Sequence, residues 1–284
     1  MNFNEHDFCA DALYRKIAWT VDTCVSKATP PYIPLYHGSS EPEFTPTFGV
    51  GRNTHDYGSG FYTTLSLELA REWATSMNNA DGYVHKYLLD TSELSILNLN
   101  ALLEAQDTGS INDTHLLCGQ GRYHKELTWL AILAKHRFTA QSKRYAINKD
   151  KLINAYYDKA IEDFDVIIGY RADDSYFKFA KAVIAEDADV GLLGELLHAG
   201  NLGHQVFIQS ERAFSKLQEV YNNWAGGNCG NAVSCNGGST YFEKVDTSKY
   251  SQLYRQRDDE ARVFAENLLS SDRNTLQDTL SRYL

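Results

Sequence analysis

Apolar residues recur along the chain in two spacings, one typical of amphipathic helices and one typical of short strands. Helical spacing covers residues 8–24, where Leu13, Ile17 and Val21 share one face. It resumes after Ser66, a residue type that caps helix N-termini. Apolar runs bounded by turn-forming residues predict strands. We therefore predict strands over 33–37, 60–64, 83–89, 164–169 and 204–209, and further helices over 126–136, 175–185, 190–198 and 210–221.

These elements predict an α+β domain over residues 30–223, preceded by an N-terminal helix within residues 1–29. Residues 224–240 are rich in Gly, Asn and Ser and predict a flexible loop. Helical spacing in 260–269 and in the series Leu276, Leu280, Leu284 predicts a C-terminal helical extension over 241–284. That extension either folds back on the domain or docks a partner.

Charge and composition narrow the class of protein. A formal net charge of −10 argues against broad electrostatic binding to a phosphate backbone. It does not exclude nucleic acid as a ligand, because the basic pair at residues 143–144 offers a local binding site. The first residues lack the features of a secretory signal, and no run of about 18 apolar residues occurs, so we expect a cytoplasmic protein that does not enter a membrane. The five cysteines match no metal-ligand spacing, and we expect no metal site.

Two short stretches carry the candidate chemistry. The first is Leu35-Tyr36-His37-Gly38-Ser39, and the second is Gly58-Ser59-Gly60-Phe61-Tyr62. In this order they resemble the NAD-binding core of ADP-ribosyltransferases of the poly(ADP-ribose) polymerase branch. The resemblance implies a split β-sheet core with flanking helices, and NAD as co-substrate.

The resemblance also implies roles for single residues. His37 would bind the ribose next to nicotinamide, and the backbone at Gly38 would bind the carboxamide; Ser39 and Gly60 belong to the same motifs. Tyr62 and Trp73, eleven residues later, would stack on the nicotinamide ring. Arg52, in the loop between the motifs, is a candidate for the pyrophosphate because a guanidinium suits phosphate oxygens.

The third motif position departs from the family, because the last strand carries Gln205 where the family places Glu. An amide does not take a proton, so any general base comes from elsewhere, and Glu126 is one candidate. This departure favours transfer of one ADP-ribose unit over chain elongation. Each residue also has a structural interpretation: Trp73 as part of an apolar helix face, Gln205 as a strand-end amide, and Glu126 as a surface charge.

The layout over residues 33–220 also resembles an uncharacterised bacterial group of such transferases. The shared features include Glu126 with Trp129-Leu130, the segment Ile-Gly-Tyr-Arg-Ala-Asp-Asp at 168–174, and Gln205. Members of that group are often encoded beside a small partner protein. The resemblance therefore implies that this protein is the toxin of a toxin–antitoxin or phage-defence system, with the small partner as its inhibitor. The sequence does not decide whether the acceptor of ADP-ribose is a protein or a nucleic acid. The alternatives are an NAD or ADP-ribose binding protein without activity, and an NADase toxin.

Overall fold

A computed structural model describes residues 32–51, 53–76, 80–99, 123–157, 159–172, 174–220, 241–271 and 278–284. Several predictions of the sequence lie outside the described residues. They are the helix at 8–24, the pyrophosphate candidate Arg52, the loop at 224–240 and all five cysteines.

Strands and helices are interspersed along the described residues. The strands are β1 (Tyr32–Ser39), β2 (Phe61–Thr63), β3 (Gly82–Asp90), β4 (Ile96–Asn98), β5 (Val166–Tyr170), β6 (His204–Ile208), β7 (Leu217–Val220) and β8 (Glu243–Val245). The helices are α1 (Leu67–Ser76), α2 (His124–Arg137), α3 (Lys143–Tyr156), α4 (Lys159–Glu162), α5 (Asp174–Ala185), α6 (Val190–Ala199), α7 (Glu211–Ser215) and α8 (Thr247–Ser271). The mixture confirms the predicted α+β class.

The strands form two sheets. In the first, β3 pairs antiparallel with β1 along one edge and with β7 and β8 along the other. In the second, the order is β2-β6-β5-β4, with β4 and β5 parallel and the other pairs antiparallel. An isolated antiparallel bridge between Tyr36 of β1 and Thr64, just after β2, links the two sheets.

The core is layered because both sheets bury both faces. One cluster of buried residues joins the two sheets and includes Leu35 and Tyr87 from the first and Ile168 and Val206 from the second. The outer face of the first sheet packs on α1 through Val84 and neighbouring alanines. The outer face of the second sheet, which carries Ile167 and Phe207, packs on α2, α3, α5 and α6.

Most of the predicted elements are confirmed. The five predicted strands correspond to β1, β2, β3, β5 and β6, with ends that differ by at most two residues. Ser66 caps α1 as predicted, because its hydroxyl oxygen accepts a hydrogen bond of 3.2 Å from the backbone N–H of Leu69. The predicted helices at 126–136, 175–185 and 190–198 are α2, α5 and α6.

The predicted helix at 210–221 is wrong beyond Ser215. The Ser210 hydroxyl does cap a helix, accepting from Ala213 N–H at 3.0 Å, but α7 is short and strand β7 follows at Leu217. The reason is tertiary, since β7 completes an open edge of β3 and its pairing outweighs local helical spacing. Helix α3, whose Ser142 cap accepts from Tyr145 N–H, was not predicted.

The predicted extension at 241–284 begins with β8, a strand of the first sheet, and continues as the long helix α8. Helix α8 folds back and packs on α1, α5 and α6. The Arg257 guanidinium donates hydrogen bonds of 3.0 and 3.1 Å to the buried Glu72 carboxylate of α1. Among the described residues, no helix is long and apolar enough to cross a membrane.

Candidate functional site

The two sequence motifs meet where β1 and β2 separate. The backbone N–H groups of Tyr36 and Thr64 donate to each other's carbonyl oxygens at 2.8 and 2.9 Å. Two residues before Thr64, the backbone carbonyl oxygen of Tyr62 in β2 accepts a hydrogen bond of 2.8 Å from Nδ1 of His37. The bridge and this side-chain bond thus hold the ends of the two motifs together across a split between the sheets.

His37 is held in one tautomer by this contact. A carbonyl oxygen accepts but does not donate, so Nδ1 carries the proton and Nε2 is left with its lone pair. The pKa of His37 is lowered to about 4, and burial is the largest cause. The hydrogen bond to the Tyr62 carbonyl raises this pKa and the nearby His85 lowers it, but both effects are smaller. The ring packs on Phe44 at 4.6 Å and Phe61 at 4.9 Å between ring centroids. Nε2 has no hydrogen-bond partner among the described residues.

Tyr62 is fixed by its hydroxyl, which donates to the Gly58 carbonyl at 2.8 Å and accepts from Tyr57 N–H at 3.0 Å. Its half-buried ring lies 4.8 Å from the Phe207 ring and 5.3 Å from the His55 ring. Burial raises the pKa of the Tyr62 hydroxyl, so it stays protonated at neutral pH. The His37 ring contacts the Phe61 ring, and Phe61 precedes Tyr62 in β2. Because side chains alternate along a strand, the rings of His37 and Tyr62 lie on opposite faces of β2, and no ring contact joins them.

The glycines of the second motif permit close contacts. Gly58 has φ of +94°, and a Cβ there would lie 2.8 Å from the His136 ring. A Cβ on Gly60 would overlap the Phe207 ring and the backbone of Ile208. Both positions therefore require glycine, the first for its backbone conformation as well.

Gln205 lies on the same face of the second sheet as Tyr62, since β2 and β6 pair Tyr62 with Phe207. Its Nε2 donates a hydrogen bond of 2.9 Å to Oδ2 of Asp56, and Gln205 is almost fully buried. The same Asp56 oxygen accepts from Ala172 N–H at 3.1 Å, and its other oxygen lies 3.6 Å from a guanidinium nitrogen of Arg137.

Asp56 and Arg137 are site residues that sequence reasoning missed. Asp56 lies in the long loop before the second motif, and a carboxylate in such a loop is a signal for function that was available in the sequence. Arg137 ends α2, where a basic residue is also explained by the helix dipole. Only the fold shows that Asp56 reaches Gln205 and that Arg137 lies next to Asp56.

A cavity of about 570 Å³ is lined by residues 54–55 and 135–139, of which His55 has its ring 5.3 Å from the Tyr62 ring. Its basic or titratable side chains are His55, Lys135, His136 and Arg137, and of these Lys135 lies 3.3 Å from the Glu162 carboxylate and Arg137 lies 3.6 Å from that of Asp56. Burial, followed by repulsion from Lys135, lowers the pKa of His136. The size and charge of the cavity suit an anionic ligand of drug-like size.

The remaining motif residues lie around α1. A Cβ on Gly38 would overlap the backbone of Ala70 and Ala74, so this glycine allows α1 to pack against β1. The Ser39 hydroxyl accepts a hydrogen bond of 3.0 Å from Glu41 N–H. Trp73 is partly exposed on α1, and its ring contacts no other ring among the described residues.

Glu126 is placed away from Tyr62 and Gln205. Its carboxylate lies 3.1 Å from Nε2 of His198, whose Nδ1 lies 3.0 Å from the Tyr170 hydroxyl. Burial pushes the pKa of Glu126 up, but the contact with His198 and nearby charges outweigh burial and lower it. Glu126 is eleven residues from Arg137 along α2, about 16 Å at 1.5 Å per residue.

Comparison with known proteins gives one match. A family model described as "Protein of unknown function (DUF3990)" matches residues 33–108 and 114–218, together more than half of the chain. The matched range contains His37, Tyr62 and Gln205 and ends before β8 and α8. No curated protein and no solved structure matches the chain. Among the described residues, no group of three or more His, Cys, Asp or Glu side chains is arranged to hold a metal ion.

Proposed function

Because the chain belongs to the family described as protein of unknown function DUF3990, we propose its activity from the site: NAD-dependent transfer of one ADP-ribose unit to a macromolecular acceptor. The fold that goes with this proposal is an ADP-ribosyltransferase-like split core. Two sheets linked through the Tyr36–Thr64 bridge are compatible with such a core.

One observation carries the proposal, the hydrogen bond between His37 Nδ1 and the Tyr62 carbonyl. It joins the His-Gly motif to the Gly-x-Gly-x-Tyr motif, which are 25 residues apart in the chain. It also leaves Nε2 of a neutral imidazole as a hydrogen-bond acceptor. A ribose hydroxyl is a donor of the kind that such an acceptor binds.

The surroundings fit the other parts of NAD. The partly exposed ring of Tyr62 offers a stacking surface for nicotinamide on the face of β2 opposite to His37. Since β2 is the edge strand of its sheet, NAD must pass around that edge to contact both side chains. The cavity that His55 lines offers the Lys135 ammonium group to the diphosphate, a group that ammonium side chains bind well. The diphosphate would thus be bound from α2 in addition to the loop that contains Arg52.

The reaction breaks the bond between the nicotinamide nitrogen and C1′ of the ribose, and the bonding electron pair leaves with neutral nicotinamide. Positive charge develops on the ribose until a nucleophile of the acceptor bonds to C1′ and gives up its proton to solvent or a base. Negative or polar groups fixed close to the ribose lower this barrier. Gln205 does not accept a proton, which favours a single transfer.

The biological setting that we propose follows from the resemblance of residues 33–220 to bacterial transferases. It is the toxin of a toxin–antitoxin or phage-defence system, held inactive by a small inhibitor protein. Binding of NAD without turnover would instead support a binding protein without activity. Release of nicotinamide at the same rate without any acceptor would support an NADase.

The test is to incubate the purified protein with cell lysate and NAD that is radiolabelled in its adenylate part. We expect label on a macromolecule, and we expect loss of the label in the His37→Ala and Tyr62→Ala variants. Sensitivity of the product to nuclease or to protease identifies the acceptor class. Equal labelling by parent and both variants would overturn the proposed site.

A further inference from the structure

The Asp56 carboxylate lies against the side-chain amide of Gln205, which is 149 residues away along the chain. It is almost fully buried, and its Oδ2 accepts two N–H groups, from Gln205 at 2.9 Å and from Ala172 at 3.1 Å. Its Oδ1 faces the Arg137 guanidinium at 3.6 Å. Both carboxylate oxygens thus face N–H donors or a guanidinium, the partners that a buried carboxylate requires.

Orientation of the Gln205 amide follows from this contact. Nε2 must be the atom that faces Asp56, since a carboxylate accepts and does not donate. Oε1 then points away from Asp56 and makes no hydrogen bond to any described residue. A Gln at this position would otherwise be free to present either end of its amide.

We propose that Asp56 is a positioning residue for ADP-ribosyl transfer, supplying next to Gln205 the negative charge that a Glu would supply at that position. This inference rests on the proposed function. Asp56 holds Gln205 with Oε1 directed at the ribose, and its charge increases the electron density on that amide oxygen. Positive charge on the ribose is then stabilised by an amide dipole backed by a carboxylate.

Glu126 does not take this role in the described structure, because its carboxylate is bound to His198 and lies toward the other end of α2. Asp56, in contrast, is adjacent in sequence to Tyr57, whose N–H binds the Tyr62 hydroxyl. The two consecutive residues Asp56 and Tyr57 therefore contact Gln205 and Tyr62, respectively. Such supporting contacts are expected to change activity by about 10- to 100-fold when they are lost.

The test compares four proteins by their rate of nicotinamide release from NAD: the parent, Asp56→Asn, Asp56→Asn combined with Gln205→Glu, and Asp187→Asn. Asn keeps the shape of Asp and its ability to bind Ala172 N–H, so the first variant removes mainly the charge. The double variant exchanges the amide and the carboxylate between the two positions. Asp187 is an exposed carboxylate and serves as the control.

We expect Asp56→Asn to lower kcat by about 10- to 100-fold with little change in KM for NAD. The double variant should regain most of the activity, and Asp187→Asn should behave as the parent. Thermal unfolding is measured on each variant. If Asp56→Asn does not fold, the double variant is the deciding one. A double variant that folds and is active supports the proposal, and a double variant that folds and is inactive overturns it.

A folded Asp56→Asn variant with the kcat of the parent would overturn the role of Asp56 while leaving the proposed function intact. A parent protein that releases no nicotinamide, with or without lysate, would overturn the proposed function and this inference with it. A loss that appears equally in KM and kcat and is not regained in the double variant would show that Asp56 only maintains the fold.

Discussion

Nδ1 of His37 donates a hydrogen bond of 2.8 Å to the backbone carbonyl oxygen of Tyr62. The contact spans the split between the two sheets, and it requires a neutral or protonated imidazole with the proton on Nδ1. Because burial lowers the pKa of His37 to about 4, the neutral form is present at neutral pH. The stability of the protein should therefore depend on pH in a defined direction.

We expect the free energy of unfolding to decrease as the pH falls from about 6.5, the pKa of an unfolded histidine, toward about 4. In that window the unfolded chain binds protons that the folded chain does not, at His37 and also at His204, whose pKa burial lowers to about 4. Urea unfolding between pH 7.5 and 4.5 measures this. The His37→Gln and His204→Gln variants should each show a shallower decrease, and the parent's slope in both would contradict the assignment.

Tyr62 should contribute to stability through its hydroxyl and to NAD binding through its ring. Tyr62→Phe removes the bonds to Gly58 and to Tyr57 N–H, so we expect a loss of stability of about 1 kcal/mol. It keeps the ring, so NAD affinity should change little. Tyr62→Ala should weaken NAD binding about tenfold by loss of stacking. Calorimetry with NAD separates the two effects, and equal affinity of the parent and Tyr62→Ala would exclude the stacking role.

Gly38 should be intolerant of a side chain for reasons of packing. A Cβ there would lie 2.3 Å from the carbonyl oxygen of Ala70 and 2.5 Å from the backbone nitrogen of Ala74, so it would overlap the backbone of α1. We expect Gly38→Ala to destabilise the protein by at least about 2 kcal/mol. The comparison is Gly49→Ala, where φ of +78° is unfavourable but no atom lies within 4 Å. A milder effect at Gly38 than at Gly49, by denaturant unfolding, would contradict the packing.

Helix α8 should stabilise the domain rather than hang free. Arg257→Ala leaves the buried Glu72 carboxylate without its main cationic partner, so we expect a loss of about 3 kcal/mol in the free energy of unfolding. Arg262→Ala on the same helix removes an exposed pair with Asp259 and should leave stability unchanged. Similar unfolding midpoints for the two variants would indicate that α8 does not pack on α1 in solution.

The sequence predicted those elements whose signal is local. Apolar runs bounded by turn-forming residues predicted β1, β3, β5 and β6, and residue type predicted the helix caps at Ser66 and Ser210. The pairing of β7 with β3 could not be predicted, because a strand that completes a sheet edge is selected by a distant partner. Helix α3 was missed although Ser142, Tyr145 and Leu152 give a cap and an apolar face.

The candidate site divides in the same way. His37, Tyr62 and Gln205 were found through motifs and residue type. The contact between Asp56 and Gln205 joins residues 149 positions apart, and no spacing rule predicts it. The packing of Gly38 against α1 was also not predicted, since the motif suggested a ligand contact at that glycine.

Transfer of ADP-ribose from NAD can be tested by following both parts of the NAD molecule in one reaction. Purified protein is incubated with lysate and NAD that carries one label in the adenylate and another in nicotinamide. We expect adenylate label on a macromolecule, an equal amount of released nicotinamide, and no nicotinamide label on the acceptor. Intact NAD after incubation with parent protein, with neither label transferred or released, would contradict it.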